Sequence, residues 1–234
     1  MYQFFGKTTV KIALCCLVYL VVSVPLYLAT RRFIHAMMAW NVLLAVLPLF
    51  FSVLLQKSVQ SRKKGTAVLL AFFWLLFFPN APYLVTDLIH LSTIDFYTPQ
   101  SYTEDPLDWI RMLQIGFGVL LGTLCGLLSL YRVHRMLLGA KGKAAAGIAL
   151  AAVCLLSGYG VYLGRFLRLN SWDILSPVSL AAKSARSFSP FSISFSLLMA
   201  GYVAASYCVF YVFFKRDHAS GAPDGLPRAK FMEK

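Results

Sequence analysis

Apolar residues form six long runs along this sequence, and none of the runs contains a charged residue. They occupy positions 12–30, 33–56, 65–86, 112–131, 144–164 and 187–214, and so are 19 to 28 residues long. A helix needs about 20 residues to cross the hydrocarbon core, and backbone groups in lipid must find hydrogen bonds within their own segment. No run shows the period-two alternation that a barrel requires. The pattern therefore predicts an all-α polytopic membrane protein with a bundle of about six transmembrane helices.

The same pattern predicts a single transmembrane domain over residues 1–214, because no linker separates a second folded unit. The first run is longer than the apolar part of a typical signal peptide, and Arg31 and Arg32 follow it directly, which favours a retained helix. Residues 215–234 are charged and rich in Gly and Pro. That composition predicts a disordered, cytoplasmic tail.

Composition and charge agree with the membrane assignment. Of the 234 residues, 59% are hydrophobic and 13% are charged. The net charge of +13 could suggest a nucleic-acid partner, but the basic residues cluster at the ends of the apolar runs, where membrane topology places them. If both termini are cytoplasmic, 15 of the 22 Lys and Arg residues lie on the inner side. We therefore expect no nucleic-acid binding, and a multi-pass plasma-membrane protein with cytoplasmic N- and C-termini.

The third run ends in an unusual stretch, FFPNAPYLVTDLIHL, at residues 77–91. Pro79 lacks a backbone donor, and the residue before Pro82 is disfavoured in the α region, so we expect the third helix to break near Pro79–Pro82. In a restarted helix Tyr83, Asp87 and His90 would share one face. Leu84, Leu88 and Leu91 would share another. Broken helices and ionisable residues at membrane depth indicate a cavity or a functional site.

A second polar stretch, GRFLRLNSWDIL at residues 164–175, ends the fifth run. Arg165 and Arg168 are three apart on one helix face, and Asn170, Trp172 and Asp173 follow. The predicted topology brings both stretches out on the outer side of the membrane. Because an isolated ion near lipid is costly, we expect Asp87 to pair with Arg165 or Arg168.

The polar residues of these two stretches have two interpretations. They could staple the third helix to the fifth, with Tyr83 and Trp172 as interface anchors. Alternatively they could form a ligand site, because they are more than one ion pair needs. The binding residues would then be Asn80, Tyr83, Thr86, Arg165, Arg168, Asn170, Trp172 and Asp173.

The sequence predicts neither a metal site nor a cofactor. Asp87 and His90 have a spacing and chemistry that suit zinc or manganese, but no third ligand is identifiable. The five cysteines all lie in apolar runs and lack metal-ligand spacing, so we expect them to pack in the core.

Both stretches resemble the signatures of a known family. The Pro-Asn-Ala-Pro-Tyr run with Thr-Asp-Leu-Ile-His, and independently Gly-Arg-Phe with Asn-Ser-Trp-Asp, are similar to the uncharacterised bacterial integral membrane family DUF1361. The resemblance extends roughly from the second helix to the sixth. It implies a bacterial polytopic membrane protein without an established activity, and it assigns no functional residues.

Three functions are compatible with these features. The favoured one is binding or assembly, in which the outer site holds an anionic lipid headgroup or a membrane partner. The alternative is an intramembrane enzyme acting on a lipid-linked or phosphate-bearing substrate, with His90 as general acid or base, Asp87 as its orienting residue and the arginines as a clamp. A third is a transporter whose broken third helix lines the pathway.

Glycines at four-residue spacing predict close helix packing. Gly118, Gly122 and Gly126 lie on one face of the fourth helix, and Gly160 and Gly164 on one face of the fifth. We expect these two helices to pack on each other within one chain. The alternative is a homodimer through Gly118, Gly122 and Gly126.

Overall fold

The computed structural model describes residues 2–99, 101–176, 178, 183–185 and 187–219. Its helices are α1 (Tyr2–Thr30), α2 (Phe33–Gln60), α3 (Lys64–Phe77), α4 (Asn80–Tyr83), α5 (Pro106–Phe166) and α6 (Pro190–Ala219). Two 3₁₀ helices span Leu84–Thr93 and Ser171–Leu175, and a small antiparallel hairpin joins β1 (Tyr97–Thr98) to β2 (Ser101–Tyr102). The all-α class is confirmed.

Five helical segments in the described parts of the chain are long and apolar enough to cross a membrane. They are Gly6–Thr30, Phe33–Gln60, Lys64–Thr93, Pro106–Phe166 and Pro190–Phe214. Large apolar side chains cover the outside of the bundle, as shown by Val68 and Ile148, each 72% exposed. In water such a surface would be unfavourable, whereas hydrocarbon solvates it.

The longest segment, α5, contains two membrane passes. Gly142 interrupts its helical geometry with φ +82° and ψ 177°. Gly126 and Gly160 both face the short stretch 79–81: a Cβ at Gly126 would lie 2.8 Å from Ala81 Cβ, and one at Gly160 would lie 2.6 Å from Pro79 Cγ. A straight helix would hold these two glycines about 50 Å apart. The chain therefore folds back at Gly142, and its halves, 106–141 and 143–166, are the fourth and fifth passes. They follow α1, α2 and the third pass, Lys64–Thr93, and precede α6, so the bundle has the predicted six passes.

The bundle has two distinct ends. We call one the Gly142 end, because there the side chain of Arg132 donates to Thr9 at 2.7 Å, and His134 bonds Tyr207 at 2.6 Å. These contacts place the beginning of α1 and the second half of α6 against the part of α5 that leads into the Gly142 turn. The opposite end carries the β-hairpin and the Ser171–Leu175 helix, and we call it the cavity end. Both ends of the described chain thus lie on one side.

The third pass breaks where it was predicted to, but the break takes the form of a change in winding. Phe78 and Pro79 keep helical dihedrals, with φ/ψ of −55°/−39° and −59°/−23°. Prolines have no N–H to donate, so α-helical hydrogen bonding ends at Phe77 and resumes for one turn in α4. From Leu84 onward the winding is 3₁₀. With three residues per turn, Leu84 shares a face with Asp87. The expected face of Leu84, Leu88 and Leu91 is therefore wrong: Leu84 is fully buried, and Leu88 is 41% exposed.

The glycine faces pack differently from the prediction. A Cβ at Gly118 would meet Met38 and Tyr19, and one at Gly122 would meet Leu84. The fourth and fifth passes therefore turn their glycines toward the third pass, and Gly118 also toward α1 and α2, so the expectation that the glycines pack these two passes on each other is wrong. Helices of the same chain already cover the surface expected for a homodimer.

The last spanning segment, Pro190–Phe214, ends at residue 214, and the helix that contains it continues beyond. Helix α6 continues to Ala219, through the first residues of the expected tail 215–234. The rest of that tail, 220–234, lies outside the described residues.

Candidate functional site

A buried carboxylate lies at the centre of the polar cluster. Asp87, in the 3₁₀ helix of the third pass, is completely inaccessible to solvent. Its Oδ1 accepts from Nη2 of Arg165 at 2.5 Å, and its Oδ2 accepts from Nδ2 of Asn41 at 2.8 Å. The predicted ion pair is confirmed, with Arg165 as the partner. It connects the second, third and fifth passes.

Thr86 and Tyr83 hold the guanidinium of Arg165 in place, in addition to Asp87. Thr86 Oγ1 accepts from its Nε at 2.9 Å and from its Nη2 at 2.5 Å, while the Thr86 hydroxyl donates to the carbonyl of Tyr83. The guanidinium carbon lies 4.6 Å from the centre of the Tyr83 ring, a cation–π distance. Gly164 leaves room for this ring, since a Cβ there would lie 3.3 Å from it. Most of the hydrogen-bonding capacity of the Arg165 guanidinium is therefore used within the protein.

His90 lies one 3₁₀ turn beyond Asp87. Its Nε2 is 3.9 Å from Asp87 Oδ1, which is too far for a hydrogen bond, and this buried atom has no hydrogen-bond partner in the described structure. The carbonyl of His90 accepts from Arg111 at 3.0 Å, so the backbone is anchored to the fourth pass. A catalytic role for His90 and Asp87 stays a prediction.

These residues border a cavity of about 620 Å³ at the cavity end, between α2, the third pass, the second half of α5 and the turn after it. The outer part of the lining is polar and basic, with Asn80, His90, Arg165, Arg168, Asn170 and Ser171. The deeper part is apolar, with Leu44, Leu75, Leu76, Pro79, Gly160 and Leu163. Among the described lining residues there is no carboxylate. The cavity is thus amphipathic, and its polar mouth is positive.

Arg168 lines the same cavity as Arg165 but differs from it in exposure and in pairing. It lies just past the end of α5, is exposed, and has no hydrogen bond or ion pair with another described residue. Its backbone adopts the left-handed conformation, with φ +54°. A residue with a side chain is strained there by about 1–2 kcal/mol, and glycine is not. Arg31 and Arg62 adopt the same conformation just past the ends of α1 and α2, so it is a recurrent feature of helix ends in this chain.

The turn after α5 is shaped by its own polar residues. The backbone N–H of Asn170 donates to Asp173 Oδ2 at 2.6 Å, and the Asn170 side chain accepts from the backbone of Asp173 in return. Ser171 Oγ accepts from Asn80 at 3.1 Å and donates to the carbonyl of Leu76 at 3.3 Å. The predicted binding residue Asp173 therefore caps the turn, and Ser171 docks it on the third pass.

The structure sorts the predicted site residues into three groups. Those lining the cavity are Asn80, Tyr83, His90, Arg165, Arg168 and Asn170, while Thr86 and Asp87 hold Arg165 from behind. Trp172 and Asp173 lie outside the lining, and Trp172 packs edge-to-face on Trp40 with ring centres 6.4 Å apart. The predicted set lacked Asn41. The sequence feature that marks this residue is a polar amide inside an apolar run.

The fold and this cavity define a class: a multi-pass membrane protein with an amphipathic, basic cavity at one end. The family described as "Protein of unknown function (DUF1361)" matches residues 40–205, which contain both polar stretches, and the chain belongs to this family. No curated protein matches the chain. No solved structure matches it either. Within the described residues, no three His, Cys, Asp or Glu side chains form a group that could hold a metal ion.

Proposed function

We propose that the cavity binds the headgroup of an anionic lipid. The observation that carries this proposal is Arg168, an exposed and unpaired cation at the cavity mouth. Arginine bonds phosphate oxygens through two parallel N–H groups, and such charge-assisted bonds are strong. Arg165, which is neutralised by Asp87, supplies the wall against which the phosphate lies.

The apolar depth of the cavity supports an amphiphile over a soluble anion. Because the third pass runs toward the cavity end, Leu75 and Leu76 lie deeper in the membrane than Asn80 and His90. A phosphate with an attached hydrocarbon would satisfy both parts of the lining. A free phosphate would leave the apolar part uncovered.

The proposal includes an orientation. The protein sits in the plasma membrane with both termini in the cytoplasm, and the cavity opens toward the outer leaflet. The excess of Lys and Arg at the ends of the passes near Gly142 supports this assignment.

The geometry favours binding over the catalytic and transport alternatives. Both oxygens of Asp87 are already bonded, and the distance of 3.9 Å to His90 leaves the imidazole without an orienting hydrogen bond. A transport pathway would need to continue toward the Gly142 end. The described lining reaches no deeper than Leu44, Leu75 and Gly160.

Native mass spectrometry of the purified protein tests the proposal. With phosphatidylglycerol and phosphatidylcholine supplied together, the wild type should retain phosphatidylglycerol selectively. Arg168→Gln should weaken this retention about tenfold or more, since a hydrogen bond to a charged group is lost. The matched control is Arg31→Gln, which removes the same charge from another arginine at φ +54° outside the cavity.

Two results would overturn the proposal. In the first, Arg168→Gln and Arg31→Gln retain as much phosphatidylglycerol as the wild type. In the second, the wild type converts the added lipid with time and His90→Gln does not, which would assign catalysis to the cavity instead.

A further inference from the structure

A second, apolar groove of about 350 Å³ runs between α1 and α2. Its walls include Val24 and Leu28 from α1 and Leu43 from α2, all with more than two fifths of their surface exposed. Ser23 also lines the groove, but its hydroxyl donates to the carbonyl of Tyr19 and accepts from Gln114. The groove therefore offers hydrocarbon surface and little to a polar ligand.

The groove lies beside the basic cavity. Trp40 lines both, so its indole forms the ridge between them. On α2 the groove uses Ala36, Ala39 and Leu43, while the cavity uses Met37, Asn41 and Leu44. These are neighbouring faces of the same turns of one helix, so the two spaces occupy the same depth and the same leaflet.

We infer that the ligand is a two-chain anionic lipid that straddles Trp40. This inference rests on the proposed function: the headgroup lies at Arg168, one acyl chain enters the apolar depth of the cavity, and the second lies in the groove between α1 and α2. A tethered second chain meets the groove at a high effective concentration, because the headgroup already holds the lipid in place. Packing against Val24, Leu28 and Leu43 then favours this chain over bulk lipid.

Competition between phosphatidylglycerol and its single-chain lyso form tests the inference by native mass spectrometry. The wild type should prefer the two-chain lipid. Ala39→Phe fills the groove and should bring the ratio of the two lipids to parity while leaving the lyso form bound as before. Ala152→Phe is the matched control, because Ala152 is exposed on the second half of α5 and lines neither space. A wild-type ratio in Ala39→Phe would overturn the inference.

Because Ala39 is half-buried and a phenylalanine there could prevent folding, a second variant provides an independent test. Leu43→Trp narrows the groove from a wall residue that is 41% exposed, and it should shift the ratio in the same direction. An unchanged ratio in a stably folded Leu43→Trp would also overturn the inference. Arg168→Gln should weaken both lipids equally. If Arg168→Gln has no effect while Ala39→Phe does, the groove holds a chain and the headgroup proposal fails.

Discussion

At the scale of single residues, the Asp87–Arg165 pair holds the site together. Asp87 has no contact with solvent, and both of its oxygens accept hydrogen bonds from other passes. Removing one partner would leave a buried charge without compensation, which is far more costly than losing the pair as a whole. The pair is therefore a structural element, whereas Arg168 lies exposed at the cavity mouth.

Single and double substitutions should show this asymmetry. Arg165→Met alone should destabilise the protein by about 3–5 kcal/mol, because Asp87 is left unpaired. Asp87→Leu combined with Arg165→Met should lose less than Arg165→Met alone. Thermal unfolding in detergent measures both, with Arg168→Gln as a control that should change stability little. A double variant that loses as much stability as Arg165→Met, or more, would contradict this account.

The sequence predicted the pair but not its details. Counting passes places residues 77–91 and 164–175 on the same side, which is enough to bring Asp87 near two arginines. The choice between Arg165 and Arg168 depends on where α5 ends, and Arg168 lies beyond that end. Asn41 was missed as a partner because a polar residue inside an apolar run does not reveal which helix it faces.

At the scale of elements, glycines decide how closely the passes approach. A Cβ at Gly158 would lie 2.2 Å from the carbonyl oxygen of Ser196 and 2.8 Å from the backbone nitrogen of Ala200. Backbone atoms cannot swing aside as the end of a side chain can. The fifth pass and α6 must therefore separate if Gly158 acquires a side chain.

Two alanine substitutions in the same half of α5 should have opposite effects. Gly158→Ala should lower stability by about 1–3 kcal/mol, the usual cost of overpacking. Gly147→Ala has open space around its Cβ and should raise stability by up to about 1 kcal/mol through helix propensity. Thermal melting of the two variants checks this, and equal effects would show that the close approach is absent.

Sequence patterns predicted elements better than they predicted winding. The two prolines located the break in the third pass, because their missing donors are a local property. Whether the chain then winds as α or 3₁₀ depends on packing against the fourth pass, where Leu84 fits against Gly122. That contact is non-local, so the α-helical face expected for Leu84, Leu88 and Leu91 was wrong.

At the scale of the whole molecule, the six apolar runs predicted the number of passes, and the structure shows how the passes pack on one another. Both glycine-bearing passes pack on the third pass, which brings the two polar stretches into contact. The side of the membrane on which they lie is proposed from the charge bias.

Cysteine labelling tests the proposed orientation. Glu104→Cys, in the exposed loop at the cavity end, should react with a membrane-impermeant maleimide in intact cells. Lys141→Cys, beside Gly142, should react only after permeabilisation. The wild type serves as the blank, since its five cysteines lie within the spanning segments. The reverse labelling pattern would place the cavity on the cytoplasmic side.

The distance in sequence between Asp87 and Arg165 has a consequence for biosynthesis. They are 78 residues apart, so a ribosome delivers the third pass to the insertion machinery well before the fifth exists. During that interval Asn41, already translated, can donate a hydrogen bond to the carboxylate, but its Arg165 counter-ion is missing. Nascent chains that stop short of position 165 should therefore leave the translocon slowly and be prone to degradation. Synthesis of Arg165 would provide the counter-ion that stabilises the third pass in the membrane.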